Sequence, residues 1–260
     1  MTGLIDFDSI LYTSVYKVVS VSEMRSAIAN FGKEQAKQWL LEQVYNEAIN
    51  RCENDLLKMQ NYISGIFFQE ITSWELFITT CNKSFRVDIS KEYKAKRKRN
   101  KYVWLMREHY KFNEAAHSET HEADDLIARR VNDLGRENCV VISIDKDLKQ
   151  IGGWLWSYLK TNEKDTYGNI VVNEYGLKNR IYKHEEVSWI TQDEAKLFFW
   201  TQMLMGDSVD GIQGLKRVGA KTAEKLLKDV DNYFIAVARE YIKRGQKSDF
   251  YKTYKLLKLE

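Results

Sequence analysis

Two hydrophobic spacings alternate along this chain. "GLIDFDSILY", residues 3–12, opens as a short apolar strand that runs into Asp6. From Ser22 to about Tyr62 the chain is polar, with Leu40, Leu41, Val44, Ala48, Leu56 and Met59 recurring at helical spacing. That pattern predicts one or two amphipathic helices. "WELFITT", residues 74–80, predicts a second strand; a basic segment, 91–101, and a helix over about 120–134 follow. "CVVISID", 139–145, is a continuous apolar run rich in β-branched residues, the pattern of a strand buried on both faces. "WSYLKTN" and "GNIVVNEY" flank a turn near Asp165 to Gly168 and predict a hairpin. From Gln192 onward the spacing is helical throughout, which puts a boundary near 190. Strands alternating with helices predict an α/β fold with a mostly parallel central sheet flanked by helices.

Composition narrows the class. With 260 residues, 44% of them apolar, the chain is long and hydrophobic enough to bury a real core, which excludes a disordered protein. No apolar run reaches the ~18 residues of a membrane span, and the N-terminus lacks a signal-peptide pattern. Cys52, Cys81 and Cys139 are scattered without metal-ligand spacing, as in a reduced, cytoplasmic setting. A net charge of +3 is uninformative about nucleic acid, but the opposite charges are segregated into clusters.

Both strong strands end in acids, Asp6 and Asp8 after the first and Asp145 and Asp147 after "VVISI". Ligands of a parallel sheet bind beyond the carboxyl ends of its strands, so these acids are expected in one crevice. "HEADDLIARRVNDL" places Glu122 and Asp125 three apart on one helical face, with Asp124 beside them, while Ile127, Val131 and Leu134 form an apolar stripe. Asp207 and Asp210 add a fourth group. Taken singly, each group has a plain structural explanation as a helix cap or turn former. Together they repel one another unless cations neutralise them. An all-oxygen site suits Mg²⁺ or Mn²⁺, not zinc, and two such ions serve phosphodiester hydrolysis. "KEYKAKRKRNK", 91–101, carries seven Lys/Arg in eleven residues, with Tyr93, Tyr102 and Trp104 interleaved or adjacent. Cations follow phosphates and rings stack on bases in single-stranded nucleic acid. The segment also reads as a solvated surface helix. "MLMGDSVDGIQGLKRVGAKTAEKLL", 203–227, reads equally as a metal site, a phosphate-binding turn or a capped helical hairpin.

"LIDFDSILY", "EYKAKR", "HEADDLIA", "VVISIDKDLKQI" and the 203–227 stretch resemble, in order, the motifs of the flap endonuclease/5′→3′ exonuclease family, most of all its stand-alone bacteriophage enzymes. The resemblance implies a PIN-like 5′-nuclease core over 1–190, with a helical arch at about 85–115, and a helical C-terminal region over 191–260 with a helix-three-turn-helix element. It implies two Mg²⁺ ions, replaceable by Mn²⁺. Asp6, Glu122 and Asp124 would hold one, with Asp125 beside them; Asp145, Asp147, Asp207 and Asp210 would hold the other. Lys94 and Arg97 match the basic pair that contacts the scissile phosphate, with Lys96 on the same DNA-binding segment, and Tyr93 would stack on a terminal base. Gly214, Lys216, Arg217, Gly219, Ala220 and Lys221 would grip duplex DNA, with K⁺ at the turn. The implied partners are DNA with 5′ ends or flaps, an RNA–DNA hybrid and replication proteins, with no membrane, and the chain is expected to be a monomer. Two departures stand out. Thr13 follows "ILY" where the family often has arginine, and Cys81 or Asn82 stands where many members have a metal-binding aspartate. Two other readings compete: a haloacid-dehalogenase-type phosphatase, from "LIDFDSI" and "GDSVD", and a non-catalytic relative that binds branched DNA. The first leaves "EADD", the basic segment and the glycine turn unexplained.

Overall fold

The structure is a computed structural model that describes residues 1–15, 21–81, 83–97, 101–113, 115–172 and 179–259. Its centre is a five-stranded sheet of order β2-β1-β3-β4-β7. Strands β1 (Thr2–Asp6), β2 (Ser73–Phe77), β3 (Cys139–Ile142) and β4 (Gly153–Trp156) are parallel, and β7 (Ser188–Ile190) closes one edge antiparallel. The sheet is therefore mostly parallel and flanked by helices, as the alternating pattern predicts. Register aligns Asp6 with Phe77 and Ile5 with Ile142, so the acid-bearing strand ends emerge side by side.

Successive side chains on a strand face opposite ways, and the two faces build two cores. Leu4, Val141 and Phe77 meet Ile127 and Val131 of α6 (Ala123–Leu134) on one side. Ile5, Ile142 and Trp156 meet α1 (Asp8–Val15), α3 (Lys33–Ile66) and α5 (Lys101–Phe112) on the other. Each fully buried side chain of this size contributes about 1.5–3 kcal/mol. The helical expectation over 22–62 resolves into α2 (Val21–Phe31) and the 34-residue α3, broken at Gly32.

Beyond the sheet, α7 (Gln192–Met205), a two-residue ladder of β8 (Gly206–Asp207) and β9 (Ile212–Gln213), α8 (Ala220–Leu227), α9 (Tyr233–Lys243) and α10 (Lys247–Leu257) share a third core around Met203, Leu215 and Tyr241. No described helix is long and apolar enough to cross a membrane.

One expectation changes. The hairpin is not formed by "WSYLKTN" and "GNIVVNEY" throughout. Trp156 ends β4 in the main sheet, fully buried and stacked on Tyr62, because an indole gains more in the core than on a solvent hairpin. β5 (Lys160–Asn162) instead pairs with β6 (Arg180–Tyr182). The turn itself is present, its Asp165 accepting the backbone N–H groups of Tyr167 and Asn169 and a Lys164–Ile170 bridge lying beside it; residues 173–178 of the expected hairpin lie outside the described residues. The segment 85–115, expected to form a helical arch, has residues 98–100 and 114 outside the described residues. It holds α4 (Phe85–Ile89), turns through 91–96, and then α5, whose Val103, Met106 and Tyr110 are buried in the main core.

Candidate metal and nucleic-acid site

β1 delivers Asp6 to the carboxyl edge of the sheet, where it is nearly buried and accepts a 2.6 Å hydrogen bond from Ser143 Oγ, just past β3. Burial, then the neighbouring Asp8 and Asp145 charges, push its pKa up to about 7 despite that bond. Asp8 opens α1 and is clamped by both Nε and Nη2 of Arg107 at 2.9 Å. Past β3, Asp145 caps the short 3₁₀ helix Lys146–Ile151 by accepting the Asp147 N–H at 2.8 Å. Burial and Asp145 push Asp147 up to about 6.

The N-terminus of α6 supplies the third group. Glu122 and Asp125 form a reciprocal capping box, so the structural explanation of these acids holds. It does not exhaust them. Carboxylate oxygens of Glu122, Asp124 and Asp125 lie within 4.8 Å of one another. Burial and the Glu122 charge hold Asp124 well above the usual carboxylate range. Asp125 is fully buried and turns both oxygens to Arg86, at 2.6 and 2.7 Å, which commits it to an ion pair.

The fourth group sits where α7 runs into β8. Asp207 accepts Lys146 Nζ at 2.8 Å and the Val209 N–H at 2.8 Å. Burial raises its pKa, but the Lys146 bond and those N–H groups outweigh it and the net direction is down. Asp210 pairs with Arg97 and, at 3.6 Å, with Lys94.

Lys94 and Arg97 of the basic segment reach two of these groups, at Glu122 and at Asp210. Lys94 Nζ is 2.9 Å from Glu122, so one ammonium joins the α6 acids to Asp210. Its backbone N–H also donates to the Asp210 carbonyl at 2.8 Å. That approach depends on Gly211 (φ +73°), where a Cβ would come within 2.5 Å of the Glu92 carbonyl oxygen. Lys96 is exposed alongside. Tyr93 departs from expectation: it is 5% exposed, packs in the C-terminal core, and donates to Glu122 at 2.5 Å. A buried ring offers no stacking shelf, and Tyr93 instead orients Glu122.

In the glycine turn, buried Leu215 and Val218 anchor exposed Lys216, Arg217 and Lys221. Gly219 and Ala220 open α8 with open space around Gly219. At Gly214 a Cβ would fall 2.2 Å from the Met205 carbonyl carbon, so glycine lets the turn close onto α7. The carbonyls of Gly214 and Lys216 accept from Gln246 and Arg244.

No protein-family model matches the chain. It is 28% identical over 113 residues to the flap endonuclease of Escherichia phage T5, a match spanning 43% of this chain and 34%, about a third, of that protein. The zinc-bound structure of T5 5′-exonuclease superposes with a TM-score of 0.59 at 15% identity, covering 100% of this chain and 90% of that one. A complex of T5 flap endonuclease with DNA and metal ions gives 0.55 at 15%, covering 99% and 89%. The fold is that of the T5 5′-nuclease. The sequence match and the fold together support the resemblance to the flap endonuclease/5′→3′ exonuclease family.

Within this 5′-nuclease fold, the chemistry of the donor set fits divalent, oxygen-seeking cations. Carboxylates outnumber the cations among them, and the buried amide oxygen of Gln202 next to Asp147 has no hydrogen-bond partner. Thr13, at the departure on α1, bonds back to its own helix at Ser9 and Ile10. Arg107 of α5 brings a guanidinium to this side of the site instead, 5.7 Å over the Tyr12 ring. Cys81 is half-buried, its thiol pushed up to about 11 by burial and Glu122; Asn82 lies outside the described residues. Sequence reasoning missed Arg86, although it ends the family-like stretch "CNKSFR" (81–86), and missed Arg107 and Gln202, which lie outside the quoted motifs. The phosphatase reading loses its ground here, since Asp8 is spent on Arg107 and the Thr79 N–H.

Proposed function

We propose that this chain is a metal-dependent 5′-nuclease that hydrolyses DNA phosphodiesters from 5′ ends or at 5′ flaps by attack of water. The observation that carries the reading is Lys94 spanning Glu122 and Asp210, one cation that joins two of the acidic groups and is suited to contact a phosphate. Asp6, Glu122 and Asp124 would hold one divalent ion, Mg²⁺ or Mn²⁺; Asp145, Asp147, Asp207 and Asp210 would hold another. Bound ions would supply an activated water and stabilise the leaving oxygen. Lys94 and Arg97 stabilise negative charge on the phosphate. Ser143 and Tyr93 fix the rotamers of Asp6 and Glu122 through their hydroxyls. Exposed Lys216, Arg217 and Lys221, with the N-terminus of α8, hold duplex phosphates away from the cut.

The core over 1–190 and the DNA-gripping region over 191–260, K⁺ at the turn, an RNA–DNA hybrid substrate, replication partners, a monomeric state and the cytoplasmic setting extend this reading from the family resemblance. The deciding assay compares 5′-labelled flap, nicked and blunt duplexes in Mg²⁺, in Mn²⁺ and in EDTA, with Asp145→Asn as control. Metal-dependent products carrying 5′-phosphates, absent from the control, are the expected result. Cleavage in EDTA, or by Asp145→Asn at the wild-type rate, refutes it.

A further inference from the structure

Gln202 lies on α7, on the same buried stretch as Met203 and Leu204, and is only 7% exposed. Its amide nitrogen donates to Asp147 Oδ1 at 2.6 Å. That contact fixes the amide orientation, because the reverse flip would set a carbonyl oxygen against a carboxylate. The carbonyl oxygen is then buried with no partner, alone with Tyr110 and Tyr158 hydroxyls in that condition among the described residues. A buried acceptor left unsatisfied is a net cost, and leucine or methionine would fill the same volume without it. A glutamine that only filled space would be the poorer choice here.

Its position gives the orphan atom a use. α7 packs against the 3₁₀ helix that carries Asp147 and leads directly into Asp207. Gln202 therefore stands between the strand-end acids and the β8 acid, with its free acceptor on the amide that already holds Asp147. We propose that Gln202 is the positioning residue of this carboxylate group: its N–H locks the Asp147 rotamer, and its carbonyl accepts a hydrogen bond from water in the hydration shell of a divalent ion held by Asp145, Asp147 and Asp207. The inference rests on the nuclease reading of the same site and adds an uncharged member to it. Groups behind a metal's direct ligands typically change its affinity 10–100-fold when removed.

The test is binding of Mn²⁺ alone to the full chain without DNA, followed by the electron paramagnetic resonance of the free ion. Gln202→Met is expected to weaken one class of Mn²⁺ site by about tenfold, and Gln202→Leu to behave alike. In an Asp147→Asn background the same substitution is expected to cost less than in the wild type, since one of its two contacts acts through that carboxylate. Wild-type Mn²⁺ affinity in both variants overturns the assignment, as does an undiminished effect in the Asp147→Asn background. Failure of both variants to fold also overturns it, by making Gln202 a packing residue. Those three outcomes leave the nuclease reading standing; wild-type protein that binds no Mn²⁺ removes both.

Discussion

Arg86 makes the strongest quantitative claim on this structure. Its side chain is buried on α4 and gives two hydrogen bonds to Asp125, one to the Leu256 carbonyl at 2.9 Å and one to the Lys258 carbonyl at 2.9 Å. One guanidinium thus ties the cap of α6 to the end of α10, 170 residues along the chain. Burial disfavours its charge, and Asp125 more than restores it. Replacing Arg86 by Met takes away the guanidinium that both Asp125 oxygens face, and breaking such a buried ion pair costs about 3–5 kcal/mol. The two carbonyls lose their donors as well, adding about 1–3 kcal/mol each unless water reaches them. A total loss of about 5–11 kcal/mol, or about 3–5 kcal/mol where water reaches the carbonyls, threatens a domain whose stability is typically about 5–15 kcal/mol. Urea unfolding of the metal-free protein measures it. The double variant Arg86→Met with Asp125→Leu should recover much of the loss, because it leaves no unpaired charge. A single variant that costs under about 1 kcal/mol, or a double variant equal to the sum of two singles, refutes the buried-pair reasoning.

Three further outcomes follow from the site. Lys94→Ala should lower turnover by about 10²–10³ with little change in duplex affinity, whereas Lys216→Ala should weaken duplex binding and reduce its salt slope by about 0.9; like behaviour of the two refutes the division of labour. In EDTA, Asp6 has its folded pKa raised to about 7 from 3.8, so the folded state holds its proton longer and stability should fall as pH rises from about 4 to 7. Asp6→Asn should flatten that slope in thermal melts, and an unchanged slope would place the titration elsewhere. Cys81→Asp, beside Arg107 and Lys94, should lower the Mg²⁺ concentration for half-maximal cleavage, since hard cations prefer carboxylate; an unmoved midpoint would mean that the site lacks no ligand there.

The acids were legible in the sequence because chain geometry places them. A buried parallel strand must end at the ligand-binding edge, so an acid directly after "GLI" or "VVISI" has little choice of location. The sheet was legible for the same reason, its strands being apolar and β-branched. β4 was less so, because "GWLW" is a short aromatic run that follows Gly152 and opens on Gly153, with no alternation to mark it. Where spacing alone carried the reading, side-chain fate could not follow. Tyr93 sits in a basic, exposed-looking segment, yet its ring enters the C-terminal core because its neighbour Lys94 must reach Glu122 and Asp210.

Arg86, Arg107 and Gln202 were the hidden part of the site for a physical reason. A carboxylate at a strand end is fixed by two or three residues of backbone, but its partner needs only a long side chain anchored anywhere nearby. Arg107 meets Asp8 across 99 residues of sequence, Arg86 meets Asp125 across 39, and Gln202 meets Asp147 across 55. None of these pairs leaves a local pattern. The position of Thr13 shows the consequence: its hydroxyl bonds back to its own helix, while Arg107 of α5 delivers a guanidinium from another direction. Charge placed at a site is a property of the folded surface, and a helix packed on the core supplies it as well as a neighbouring residue does. Motif gaps in this chain are therefore read correctly only after the packing of α5 and α7 is known.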